Sequence, residues 1–225
     1  MLSIGLDLAQ KTVGIAIIDT ITNDLKYHSI ELTNKEYKTK SAIELQKVMV
    51  DLIIDVILSI IKNTNHELVI EDVFTGVNPK ASINAARVQG ALIDRYMLIT
   101  SKLPKLIMAV TARKNIGIDV RWHKAQIQMY IIDKFKLGKL EEKTKGDIIS
   151  LPIQYDRKID ILKMQLKTAG IGRKKLLKEQ MKELKKEYNN TMSRLSTEIK
   201  KQTLINEHIA DAIVLAMQMK ELSNG

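Results

Sequence analysis

Apolar and polar residues alternate over the first stretch of the chain, and the rhythm predicts a strand from Leu2 to Ala9. Ile4, Leu6 and Leu8 fall on one face, and Ser3, Gly5, Asp7 and Ala9 on the other. The second face is small at every position but one, and the exception is a carboxylate. Gln10 and Lys11 provide a turn. Thr12 to Asp19, rich in Val and Ile, predicts a second strand, and Tyr27 to Leu32 a third. Connections this short make the three an antiparallel meander. Ser41 to Ile61 then carries Ile43, Val50, Ile54, Ile57 and Ile61 at helical spacing with apolar residues on most sides, so a buried crossover helix is expected.

Glu67 to Val73 predicts a short apolar strand, broken by Glu71 and Asp72. Asn78, Pro79 and Ser82 are helix-start residues and precede a helix from Ala81 to Ser101. Pro104 introduces a further strand, Leu106 to Val110, and His123 to Phe135 a further helix. Strands joined by helices pair in parallel. The predicted class is therefore α/β, with a mixed five-stranded sheet flanked by helices: three strands in a meander, then two by crossover. From Gly138 the texture changes. Lys139 to Asp147 is charged and reads as loop. Asp156 to Lys201 spaces Leu177, Met181, Leu184, Tyr188, Leu195 and Ile199 by threes, fours and sevens, and Gly170 and Gly172 divide it into two arms. That pattern predicts a helical hairpin with a narrow apolar seam. Asn206 to Glu221 closes the chain with a helix whose apolar side holds Ile209, Ile213, Ala216 and Met217.

Composition narrows the class of function. With 45% hydrophobic and 28% charged residues, the 225-residue chain can bury a real core, which excludes wholesale disorder. Cysteine is absent, so a disulfide scaffold, a cysteine nucleophile and a thiolate zinc site are excluded. Val48 to Ile61, the longest near-apolar stretch, is too short to span a bilayer and contains Asp51 and Asp55. The first ten residues lack the basic flank of a signal peptide, and the expected location is the cytoplasm. The net charge of +10 favours a polyanionic partner, nucleic acid above all. Most of the excess lies between Lys139 and Lys201, where 17 basic residues face 9 acidic ones. A solvated helical face is the plainer account of that excess.

Three acids stand where a fold would not place them without a reason. Asp7 lies inside an apolar strand, where an unpaired carboxylate costs on the order of several kcal/mol. Glu71 repeats the pattern at the carboxyl end of a second strand, where open α/β sheets place ligands. Its neighbour Asp72 points the other way, so only one of the two can join Asp7. His208 and Asp211, three apart on the last helix, share a face; Glu207, four before Asp211, is a rival to His208. Each acid also has a structural reading, as half of a salt bridge or a hydrogen-bonded network. Oxygen-rich ligands with at most one imidazole select Mg²⁺ or Mn²⁺ over Zn²⁺. Two such ions side by side are a known solution for phosphodiester hydrolysis.

The order of these motifs resembles a known family. Ile4-Gly5-Leu6-Asp7 with Gly14-Ile15-Ala16 resembles the opening hairpin of ribonuclease H-like nucleases. Ile70-Glu71-Asp72-Val73-Phe74, followed by the helix through Gln89-Gly90, resembles the RuvC family of Holliday junction resolvases. The stretch from Lys124 to Met129 resembles that family's basic helix start, and His208 to Ala212 its last acidic motif. The similarity covers residues 1–137 and 204–222. The Lys- and Ile-rich composition resembles that of a RuvC-like enzyme from a phage of low-GC bacteria.

The resemblance implies a ribonuclease H-like fold and a homodimer paired through the helix from Ala81 to Ser101. It implies a metal-dependent endonuclease that makes paired nicks in four-way junctions and other branched DNA. Asp7, Glu71 and Asp211 become carboxylate ligands for two divalent ions, Mg²⁺ or Mn²⁺, and His208, where many members carry Asp, becomes a ligand beside them. Lys124 matches a lysine near the scissile phosphate, and Arg113 falls near another basic position that contacts DNA. Phe74 matches an aromatic wedge at the junction centre, although an ordinary core Phe fits the same position.

The departure from the family is length. About sixty residues stand where a short loop is usual, so residues 1–137 plus 204–225 form the expected nuclease domain and 138–203 a basic helical insertion. That insertion has three readings: a grip on DNA arms, an extension of the dimer, or a solvated appendage. Three rival functions remain beside the junction nuclease. One is another ribonuclease H-like nuclease or strand-transfer domain, and another a non-catalytic branched-DNA binding module. The third, a sugar-kinase or actin-like ATPase, lacks a second Gly-rich loop and the length for two lobes.

Overall fold

A computed structural model of the chain describes residues 1–9, 11–61, 64–73 and 79–219. The chain divides into two compact units, Met1–Val120 with His208–Gly225, and Arg121–Glu207.

The first unit is built on a five-stranded sheet in the order β3-β2-β1-β4-β5. The strands are β1 (Leu2–Leu8), β2 (Thr12–Asp19), β3 (Leu25–Glu31), β4 (His66–Glu71) and β5 (Lys105–Ile107). β1, β2 and β3 pair antiparallel, whereas β4 runs parallel to both β1 and β5. The mixed sheet expected from the short early connections and the later helical crossovers is thus the one formed. The helices α1 (Ala42–Ile61) and α2 (Pro79–Thr100) provide those crossovers. Ile4, Leu6 and Leu8 join Ile15 and Ile17 of β2, Leu68 and Ile70 of β4, Ile53 and Ile57 of α1, and Leu92 and Tyr96 of α2 in one buried cluster.

The small face of β1 is also buried, and the helix α7 (Glu207–Ala216) packs on it. Ser3 Oγ donates to the Ala216 carbonyl at 2.6 Å. Alternation in β1 therefore separates a bulky face from a small one, both of them inside. No described helix is long and apolar enough to cross a membrane.

Two local expectations are corrected. The apolar run Leu106 to Val110 is not one strand: β5 ends at Ile107 and the chain turns at Met108 into the helix α3 (Ala109–Asn115). Ala112 is its one buried residue, and so short a helix leaves almost no periodic signal. Lys139 to Asp147 is not all loop, because the helix α5 (Glu142–Thr168) begins inside it. The fully buried Leu140 and Ile148, with the buried Thr144 midway, carry that segment's inner face.

In the second unit α4 (Lys124–Phe135) packs with α5 and with α6 (Ile171–Thr203). Packing thus groups α4 with the hairpin, so this unit begins at Arg121, ahead of the expected boundary at 138. Ile127, Ile131 and Ile132 of α4 are buried, as are Leu177, Met192 and Ile199 of α6. Gln128 donates to the Ile205 carbonyl at 2.9 Å. Tyr155 of α5 stacks on Tyr188 of α6 with ring centroids 4.4 Å apart.

Candidate active site

Register brings the first two acids together. In the parallel pair of β1 and β4, Leu6 stands opposite Ile70, and Asp7 and Glu71 are the next residue on each strand. Both strand ends therefore deliver a carboxyl group to the small face. Asp72 is exposed, as a strand's alternation requires. Gln89 of α2 donates its side-chain amide to the Glu71 carbonyl at 2.9 Å and so ties the end of β4 to the helix.

The other two candidates arrive on α7, and two glycines decide how closely. A Cβ at Gly5 would fall on the carbonyl oxygen of Ala212, and one at Gly14 on that of His208. Only bare backbone at those positions lets α7 lie flat on β1 and β2. Gly14 is the cross-strand partner of Asp7, so the contact at Gly14 sets His208 beside Asp7. His208 Nδ1 lies 2.6 Å from Asp7 Oδ2. One turn on, Asp211 receives a hydrogen bond of 2.8 Å from Arg113 Nη2 of α3, and both side chains are largely buried.

Charge is crowded here. Burial pushes the Glu71 carboxyl up to about 9, helped by a hydrogen bond to Asp7 and by the charges of Asp7 and Asp211; Arg113 pulls the other way. The arrangement is three acids on one small face, with Arg113 held against Asp211, His208 against Asp7, and a proton on Glu71.

A hard divalent cation fits that donor set. The donors are carboxylate oxygens with one imidazole, and the pressure on Glu71 to stay protonated is what an added positive charge would relieve. Among the described residues no three His, Asp or Glu side chains already form a coordination shell. Asp7 and Asp211 are instead turned towards the imidazole and the guanidinium.

Of the predicted site residues, Asp7, Glu71, His208, Asp211 and Arg113 meet in the first unit. Lys124 belongs to the second, where its Nζ lies 2.7 Å from Glu207 Oε2 at the start of α4. Between the rivals Glu207 and His208, it is His208 that meets Asp7. Phe74 lies outside the described residues. The reading from sequence missed the tie from Gln89, and it gave Arg113 to DNA without its acidic partner. A glutamine eighteen residues after an acid, or an arginine ninety-eight before one, sends no local signal.

Comparison with known proteins identifies the family. The family model for crossover junction endodeoxyribonuclease RuvC matches residues 3–154. The match includes Asp7, Glu71, Arg113 and Lys124 and ends before α7, so His208 and Asp211 reach the site through the fold. Among solved structures, Thermus thermophilus RuvC in complex with a Holliday junction substrate is similar with a TM-score of 0.57 and 9% identity, over 100% of this chain and 95% of that one. A second Thermus thermophilus RuvC structure aligns with a TM-score of 0.48 and 11% identity, over 63% of this chain and 84% of that one. No curated protein matches the sequence. With two thirds of its length matched and the mixed ribonuclease H-like sheet in place, the chain belongs to the RuvC family of crossover junction endodeoxyribonucleases.

Proposed function

We propose that this protein is a metal-dependent, structure-selective endonuclease that cuts four-way junctions and related branched DNA by paired nicks. The observation that carries the reading is the convergence of Asp7, Glu71 and Asp211 on the small face of the sheet, in a chain of this family. When bound, two divalent ions, Mg²⁺ or Mn²⁺, held by those carboxylates and by His208 would activate water and neutralise charge at the scissile phosphate.

The chain's own residues do the rest. Glu71 gives up its proton as the site is loaded. Arg113, held against Asp211, places a fixed cation at the site that a phosphate would meet. Lys124 supplies a further cation for phosphate, beyond its pair with Glu207. Phe74 is the proposed wedge at the junction centre. Two sites are needed to nick opposing strands, and a homodimer through α2 provides them. That helix leaves Ile83, Met97, Leu98 and Ile99 exposed, apolar surface that a second copy would cover.

A substrate panel tests the reading. Four-way junctions, three-way forks, linear duplex and an RNA–DNA hybrid are offered in Mg²⁺, Mn²⁺ and EDTA. Symmetric nicks with 5′-phosphate ends, confined to branched DNA and lost in EDTA, are the expected result. Preferential cutting of the hybrid would assign the chain to another ribonuclease H-like reaction.

A further inference from the structure

Helix α6 sorts its charges by face. At 100° per residue, Lys174, Lys178, Lys182 and Lys186 climb in one row with Lys175 and Lys185 beside them. Between Lys174 and Lys186, that sector of the helix carries lysine at every position. Leu177, Met181, Leu184 and Tyr188 fill the sector towards the seam, and Glu179, Glu183 and Glu187 a third sector. All six lysines are exposed, and among the described residues none is paired with a carboxylate.

A solvated face does not require this. Like charges at i and i+4 repel, and opposite charges at that spacing attract. The helix has enough glutamates to alternate signs along each row, yet it segregates them. The segregation, more than the total charge, calls for a polyanion. The row runs about 18 Å along the helix, comparable to about five base pairs of duplex at 3.4 Å per step. Lysines are point charges on flexible stems, suited to phosphate and not to the planar reading of bases. The sector holds no aromatic side chain on which unpaired bases could stack, and no apolar anchor for a protein partner.

We propose that this lysine row is a second DNA-contact surface, which holds the phosphates of a double-stranded arm without reading its sequence. The proposal rests on the reading of the chain as a branched-DNA nuclease and gives its basic insertion a role in that reaction.

The test compares the full-length wild type with a variant carrying Lys174→Gln, Lys178→Gln, Lys182→Gln and Lys186→Gln, by fluorescence anisotropy across a salt series on a labelled four-way junction. Each phosphate contact contributes about 0.9 to the slope of log affinity against log salt, so the variant should lose roughly 3 to 4 from that slope and bind at least about tenfold more weakly at low salt. Glu179→Gln, Glu183→Gln and Glu187→Gln together should leave binding unchanged or tighter. A second measurement needs no variant: amine acetylation of the wild type, read by mass spectrometry, should slow at the row's lysines when duplex DNA is added. An unchanged slope, or acetylation unaffected by DNA, overturns the proposal while a wild type that still cuts junctions leaves the nuclease reading standing. Protection by double-stranded RNA but not by DNA also overturns it. A wild type that binds no branched DNA removes both.

Discussion

Because Glu71 lies buried beside Asp7 and Asp211, its carboxyl holds a proton up to about pH 9 in the fold, against an ordinary value of 4.5 in the unfolded chain. Below pH 4.5 both states are protonated and the group favours neither. As pH rises from there the unfolded chain ionises freely while the fold must keep the proton, so stability falls until pH 9 is passed. Glu71→Gln removes that penalty. In EDTA at pH 8 the variant should melt above wild type, each kcal/mol of relieved penalty being worth about 2–4 °C in a chain of this size. The gain should vanish near pH 4, and cleavage should be lost throughout. A lower melting temperature at pH 8 would contradict the crowding described for the site. Arg113→Ala runs the other way. It strips the partner from a largely buried Asp211 and should cost roughly 2–3 kcal/mol without metal. Added Mn²⁺ should raise the melting temperature of this variant more than that of wild type. Asp7 and Glu71 were legible in the sequence because a carboxylate inside an apolar strand must have a partner. Arg113's pairing was not, because only the folded chain brings α3 to α7.

The contact between α7 and the sheet depends on Gly5 and Gly14, and a methyl group at either has nowhere to go. Gly14→Ala should cost about 1–3 kcal/mol and, by lifting His208 away from Asp7, reduce cleavage by more than tenfold. Gly146→Ala is the matched control. Its Cβ meets nothing, and Ala in place of an exposed helical Gly should stabilise by roughly 0.5–1 kcal/mol with cleavage unchanged. Equal losses in both variants, read by thermal melts and by cleavage rate, would mean that the close approach of α7 does not matter. The strands and the long helices α1 and α2 could be read from periodicity because each buries a repeating face. The failures share one cause. At α3 and at the start of α5 too few apolar side chains point inward for a period to show, so an apolar run reads as strand and a charged run as loop.

Charge and size set what the chain can do as a unit. A net charge of +10 should make junction binding steeply salt-dependent, and the part of the α5–α6 hairpin beyond the Tyr155–Tyr188 stack makes up over a third of the second unit's length. Beyond the Tyr155–Tyr188 stack only Ile159 and Leu177 are buried among the described residues of that outer part. Replacing Arg157 to Glu187 by a short Gly/Ser linker should therefore leave the melting temperature of the rest nearly unchanged while junction affinity falls at least about tenfold through lost phosphate contacts. Unchanged affinity would return the insertion to a solvated appendage. The hairpin itself was legible from its seam. Its packing with α4 was not, because contacts such as that of Gln128 with Ser196 of α6 join residues 68 apart.

The decisive measurement sets Asp7→Asn beside wild type on an end-labelled four-way junction, scoring binding and cleavage in the same tubes with Mg²⁺ or Mn²⁺. Asp7→Asn removes one carboxylate charge from the centre of the cluster and preserves shape. Wild-type binding with cleavage abolished is the predicted result. Cleavage at the wild-type rate would show that Asp7, Glu71 and Asp211 are a structural network and that the chemistry lies elsewhere.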